Sequence, residues 1–124
     1  MKLCLSKIPY NALTTDLWKN QKLEYFLTLT GHFYTVKYKY YSIIMSFRKF
    51  KKSHKSVNIS NFIIKELNKL NIIDRVVAVT TDNEAAVVSA CRQIGDDIHR
   101  ISCMCHNLNL IVKNGLQLWK KPKK

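Results

Sequence analysis

The hydrophobic period of this chain first changes near residue 55, and that switch restricts the folds open to it. Before it the spacing is two: Leu27, Leu29, Gly31 and Phe33 share one face, and Thr28, Thr30 and His32 the other. After it the spacing is helical, with Ile59, Phe62, Ile63, Leu67 and Leu70 on one stripe and Ser56 or Asn58 as the N-cap. The first half predicts strands over Leu13–Trp18, Glu24–Thr35 and Tyr40–Phe50. Lys37-Tyr38-Lys39 is a hairpin turn that lacks the usual Gly or Asn. The second half predicts a β-branched strand, Val76–Thr81, buried on both faces. A helix over Asn83–Ile94 follows, stopped at Gly95. A short fifth strand over Arg100–Cys105 leads to a last helix with Leu108, Ile111, Val112, Leu116 and Trp119 on one stripe. Three strands followed by strand–helix alternation define an α/β class: a mixed five-stranded sheet with helices packed on it. Residues 1–12 form a lead-in, 13–119 one domain and 120–124 a basic tail.

Two acidic residues break the strand pattern. Asp16 falls inside Leu13-Thr14-Thr15-Asp16-Leu17-Trp18, and Asp82 closes the run Val76–Thr81. Aspartate is depleted in strands because its short polar side chain competes for backbone hydrogen bonds. Paired carboxylates on adjacent strands would hold divalent cations for phosphoryl transfer. The plain alternatives are a strand-end polar group for Asp16 and a helix N-cap for Asp82.

The 124 residues suffice for one domain, and 47% hydrophobic content argues against wholesale disorder. The net charge of +13, from 21 basic and 8 acidic residues, favours a polyanionic partner, with nucleic acid the commonest. A Lys-, Asn- and Ile-rich composition also arises without any such role. The basic start, Met1-Lys2-Leu3-Cys4-Leu5, has too short an apolar run for a signal peptide. No stretch approaches the ~20 apolar residues that span a bilayer. Four unevenly placed cysteines, Cys4, Cys91, Cys103 and Cys105, fit a reducing compartment, cytosol or nucleus.

Four segments, in order, match one family. Thr14-Thr15-Asp16-Leu17-Trp18 looks like a first-aspartate strand, and Val77-Ala78-Val79-Thr80-Thr81-Asp82-Asn83 like a second. Phe47-Arg48-Lys49-Phe50 with His54 looks like the basic loop before the first helix. Cys103-Met104-Cys105-His106-Asn107-Leu108-Asn109-Leu110-Ile111-Val112 is similar to a Cys-x-x-His strand-to-helix segment. From Leu13 to Trp119 the chain resembles the catalytic region of hAT (hobo–Activator–Tam3) DNA transposases and their domesticated zinc-finger-BED relatives. The resemblance implies a partial ribonuclease H-like fold with the first and fourth strands adjacent at the sheet centre. It implies that Asp16 and Asp82 are two of three acidic ligands for catalytic Mg²⁺ or Mn²⁺. The third, a glutamate beyond a helical insertion, falls past the residues seen here, and Glu66 and Glu84 do not match it. The BED finger and the dimerisation region are likewise not seen. The expectation is therefore a transposase fragment, nuclear, DNA-binding and inactive alone. The rivals are a domesticated nucleic-acid-binding or protein-interaction module, and a full enzyme with its reading frame cut short. Lys52 and Ser56 stand where the family loop has glycines, and Glu84-Ala85-Ala86 replaces its small-polar pattern.

Several other residues invite specific chemistry. The Arg48–Lys55 stretch (Arg48, Lys49, Lys51, Lys52, His54, Lys55) is a candidate DNA contact through phosphate attraction, or else a solvated basic loop. Cys103 and His106 suggest zinc with Cys105, Cys91 or His99, or a buried Cys beside a hydrogen-bonded His. The resemblance implies instead a motif bracing the active site near DNA. Trp18, Tyr25, Phe26, Phe33, Tyr40, Tyr41, Phe47 and Phe50 read as core rather than base-stacking surface.

Overall fold

A computed structural model describes residues 5–117. The strands are β1 (Asn11–Lys19), β2 (Tyr25–Tyr34), β3 (Tyr40–Phe50), β4 (Val76–Thr81) and β5 (His99–Ser102). The helices are α1 (Ser56–Leu70), α2 (Ala85–Ile94) and α3 (Met104–Gln117). One sheet runs β3-β2-β1-β4-β5, antiparallel across the first three strands and parallel across β1–β4 and β4–β5. This five-stranded mixed sheet with three helices is the expected partial ribonuclease H-like arrangement, and Trp119 and the basic tail lie outside the described residues.

Alternation in β2 sets the core. Leu27, Leu29, Gly31 and Phe33 are buried, and Thr28, Thr30 and His32 are half-buried on the opposite face. Leu13 and Val79 join the buried side, where Ile59, Ile63 and Leu67 of α1 and Val87, Ala90, Cys91 and Ile94 of α2 close over them. Each such large side chain withdrawn from water stabilises the fold by roughly 1.5–3 kcal/mol. A β-carbon at Gly31 would meet the flexible end of the Met45 side chain, which would have to move aside.

Both hairpins use three-residue loops with a left-handed residue, and neither uses glycine. Leu23 (φ 62°) ends the β1–β2 loop and Tyr38 (φ 56°) the β2–β3 loop. In the second, Tyr38 N–H donates to Thr35 O and Thr35 N–H to Lys39 O. The strained backbone is held because the flanking strands pair along their whole length.

Several expected boundaries move. The N-cap of α1 is Lys55, without a side-chain cap bond, because the Asn58 amide donates to Ser53 instead. Asp82 is not the N-cap of α2: that position is Glu84, and Asp82 Oδ1 accepts its N–H at 3.1 Å. Gly95 ends α2 in an extended conformation (φ 175°) that any residue adopts. The fifth strand is His99–Ser102, since Cys103 leaves the ladder and Met104 begins α3. β4 is covered on one face only, by α1 and α2, and Val77 is exposed. The apolar stripe of α3, with Leu108, Ile111, Val112 and Leu116, is exposed rather than packed on the sheet. Of the aromatics assigned to the core, Phe33 and Phe50 are buried. Trp18, Phe26 and Phe47 instead form a ladder on the uncovered face, with Trp18–Phe26 centroids 5.0 Å and Phe26–Phe47 centroids 5.6 Å apart.

Candidate metal and nucleic-acid site

The carboxyl ends of β1 and β4 open into one cleft of about 270 Å³, lined by Thr14, Thr15, Asp16, Thr80, Asp82, Cys103 and His106. Asp16 lies within β1 and Asp82 directly follows β4, so the parallel pairing of these strands brings the two aspartates to the same hollow. The cleft also collects Cys103 and His106 from the β5–α3 junction. The Cys103 N–H donates to Thr81 O at 2.7 Å, which fixes that junction to the end of β4. Cys103 and His106 are half-buried, Cys105 is exposed, and Cys91 is buried in the core. Among the described residues no three His, Cys, Asp or Glu side chains are grouped to hold a metal ion, so the zinc reading has no ligand set there.

The loop carrying Asp82 is braced by a residue that sequence reasoning did not single out. Arg100 Nε donates to Thr81 Oγ1 at 3.1 Å, and its Nη2 donates at 2.7 Å to both Asp82 O and Asn83 Oδ1. Asn83 Nδ2 then donates to Asn107 Oδ1 at 2.7 Å, and Ser102 Oγ to Asn83 Oδ1 at 2.8 Å. The planar guanidinium presents its donors to the three acceptors in a fixed fork, whereas a lysine offers a single flexible ammonium. The only signal available beforehand was a cation at the start of a short predicted strand.

The basic stretch divides into tied and untied charges. Arg48 Nε donates to Glu66 Oε2 at 3.3 Å, and Ser46 Oγ to the same oxygen at 3.0 Å, while Lys69 binds the other oxygen. Glu66 is buried. Burial alone would raise its pKa, but the bonds from Lys69, Ser46 and Arg48 outweigh it and hold the carboxyl below its ordinary value. Lys49 pairs with Glu24, whose carboxyl is lowered by Lys49 and Asn20. The His54 ring stands edge-on against Tyr25. Lys51, Lys52 and Lys55 are exposed, with no carboxylate partner among the described residues.

A five-stranded mixed sheet with Asp16 within β1 and Asp82 just past the adjacent parallel β4 fits a partial ribonuclease H-like fold. The family model of the ZBED1 RNase-like domain matches residues 14–110, and the chain belongs to that hAT-related family. It is also similar to "Putative transcriptional regulator tpeD" of Talaromyces stipitatus, 25% identical over 123 residues. That match covers 88% of this chain, which spans 14% of the length of that relative. No described helix is long and apolar enough to cross a membrane.

Proposed function

We propose that this domain binds DNA in the nucleus and keeps the two-carboxylate cleft of a hAT-type transposase as a weak divalent-cation site. The observation that carries it is the shared cleft of Asp16 and Asp82. Carboxylate oxygens suit hard cations, and Asp16 with the second oxygen of Asp82 would hold Mg²⁺ or Mn²⁺ with several waters retained. Such an ion, when bound, supplies charge stabilisation for phosphoryl transfer. Two carboxylates bind one ion weakly and a second hardly at all, so these residues alone do not sustain strand cleavage. The test combines a Mn²⁺ titration with plasmid nicking. Mn²⁺ should stabilise the protein and Asp16→Asn should abolish the effect. Metal-dependent nicking that Asp16→Asn removes would refute the absence of cleavage. The exposed stripe of α3 favours a second reading, a protein-interaction module without chemistry. That reading expects no cation response and no DNA binding.

A further inference from the structure

We propose that an aromatic hollow at the start of β1 docks a proline-rich segment of a partner protein, held in the extended polyproline II form against Tyr34 and the His32–Tyr40 pair. The hollow measures about 320 Å³ and lies at the other end of β1 from the carboxylate cleft. Pro9, Tyr10, His32, Tyr34, Tyr40 and Val77 line it, and no Lys, Arg, Asp or Glu does. It opens on the sheet face that α1 and α2 leave uncovered. His32 is half-buried on that face with Ala12 as its register partner, and Tyr34 is the partner of Tyr40.

Two hydrogen bonds set the floor in place before any ligand arrives. His32 Nδ1 is hydrogen-bonded to Tyr40 OH and Nε2 to Thr14 Oγ1, both at 2.8 Å. The imidazole and phenol planes are 11° from parallel with centroids 6.3 Å apart. Because a hydrogen bond joins their edges, the two rings sit side by side as one flat surface. Tyr34 meets Tyr40 at 51° with centroids 5.4 Å apart and turns that surface into a notch.

Rim exposure, hydrogen-bond polarity and charge together select the occupant. Tyr10, Tyr34 and Tyr40 are 68%, 60% and 52% exposed. A small-molecule pocket encloses most of its ligand, which this open rim does not do, whereas an extended segment lies along such a groove. Proline rings pack flat on aromatic side chains, and proline positions present carbonyl acceptors with no N–H. The rim answers with phenol hydroxyls as donors. A polyproline II segment is also ordered beforehand, so a shallow groove need not supply the cost of ordering it. The net charge of +13 repels a basic segment, so the flanks of the occupant are neutral or acidic. These 124 residues hold two prolines, Pro9 and Pro122, and supply no such segment themselves.

The test is fluorescence polarisation of a labelled proline decamer against the full chain, with a Gly-Ser decamer carrying the same label as control. The proline peptide should bind and the control should not. Tyr34→Ala should weaken binding about tenfold, the loss typical of a central aromatic anchor. Tyr34→Phe keeps the ring and should lose less. Ile44→Ser removes a side chain that is exposed on the same face, opposite Thr30 and outside the hollow, and should leave affinity within about twofold of the parent. Equal binding of both peptides, an equal loss in Ile44→Ser, or no binding at about 1 mM chain would each overturn the proposal. So would unchanged affinity in Tyr34→Ala. Where Tyr34→Ala does not fold, side-chain resonances of the parent decide. Those of His32, Tyr34 and Tyr40 should shift on adding the proline peptide while those of Trp18 and Phe26 stay in place, and the reverse pattern would overturn the assignment.

Discussion

Asp16 and Asp82 follow the same register pair: Thr14 is the partner of Thr80, with Asp16 two residues further along β1 and Asp82 two residues on, just past the end of β4. Within β1 a side chain two residues on returns to the same face. The cleft that both aspartates line is therefore a consequence of strand register, and whatever shifts the end of β4 shifts Asp82 relative to Asp16.

Arg100 should act as a positioning residue for that pair. Arg100→Lys removes the fork that holds Thr81 O–H, Asp82 O and Asn83 Oδ1. The expected result is weaker Mn²⁺ binding with Asp16 and Asp82 both still present. At ten times the dissociation constant the ion stabilises the parent by about 1.4 kcal/mol. A thermal-shift titration of Arg100→Lys reaching half-effect at the parent concentration would refute the positioning role.

Glu66 should govern acid stability. Its folded pKa lies below the ordinary 4.5, so its stabilisation is complete above the unfolded pKa and is lost as pH falls through the folded value. Glu66→Gln should cost about 1–3 kcal/mol near neutral pH, since Ser46, Arg48 and Lys69 lose a charged acceptor. Urea midpoints measured from neutral pH down through the carboxylate range should converge for parent and variant at the acid end. Parallel curves would show that this carboxylate does not carry the dependence.

Asn11 should be replaceable with a gain. It is fully buried at the start of β1, and among the described residues neither its Oδ1 nor its Nδ2 has a hydrogen-bond partner. An orphaned buried amide costs about 1–3 kcal/mol. Asn11→Val removes both polar atoms and suits a strand, so it should raise the urea midpoint without altering the slope. A lowered midpoint would mean that the amide is satisfied in solution.

Tyr38 should be replaceable too. Its side chain is 89% exposed and its φ is 56°, so its left-handed backbone strain is offset by little packing. Tyr38→Gly relieves about 1 kcal/mol of that strain. Calorimetry should show a higher melting temperature; no change would indicate that the ring packing in solution outweighs the backbone term.

Element type and order were legible because they depend on neighbours in sequence. The alternation of Leu27, Leu29, Gly31 and Phe33 and the helical spacing of Ile59, Ile63 and Leu67 each bury one face in the structure, as their periods require. Ends were less legible. Whether Ser56, Asn58 or Lys55 caps α1 turns on where the Asn58 amide finds an acceptor, and it finds Ser53. The aromatics misled for a related reason: alternation says which residues share a face but not which face the helices cover. Trp18, Phe26 and Phe47 fall on the uncovered one. The stripe of α3 is likewise amphipathic by spacing yet exposed.

The sequence by itself determined that this chain makes an α/β domain, with one carboxylate in its first strand and another at the end of its fourth. Tertiary structure alone decided that both line one cleft, that Arg100 braces the second of them, and that, among the described residues, Arg48 and Lys49 are tied to carboxylates while Lys51, Lys52 and Lys65 are not. The physical reason is sequence distance. Local periodicity acts over a few residues, whereas a parallel crossover brings together Asp16 and Asp82, which are far apart along the chain. Which charges are left uncompensated depends on partners such as Glu24 and Glu66 that only the folded chain delivers.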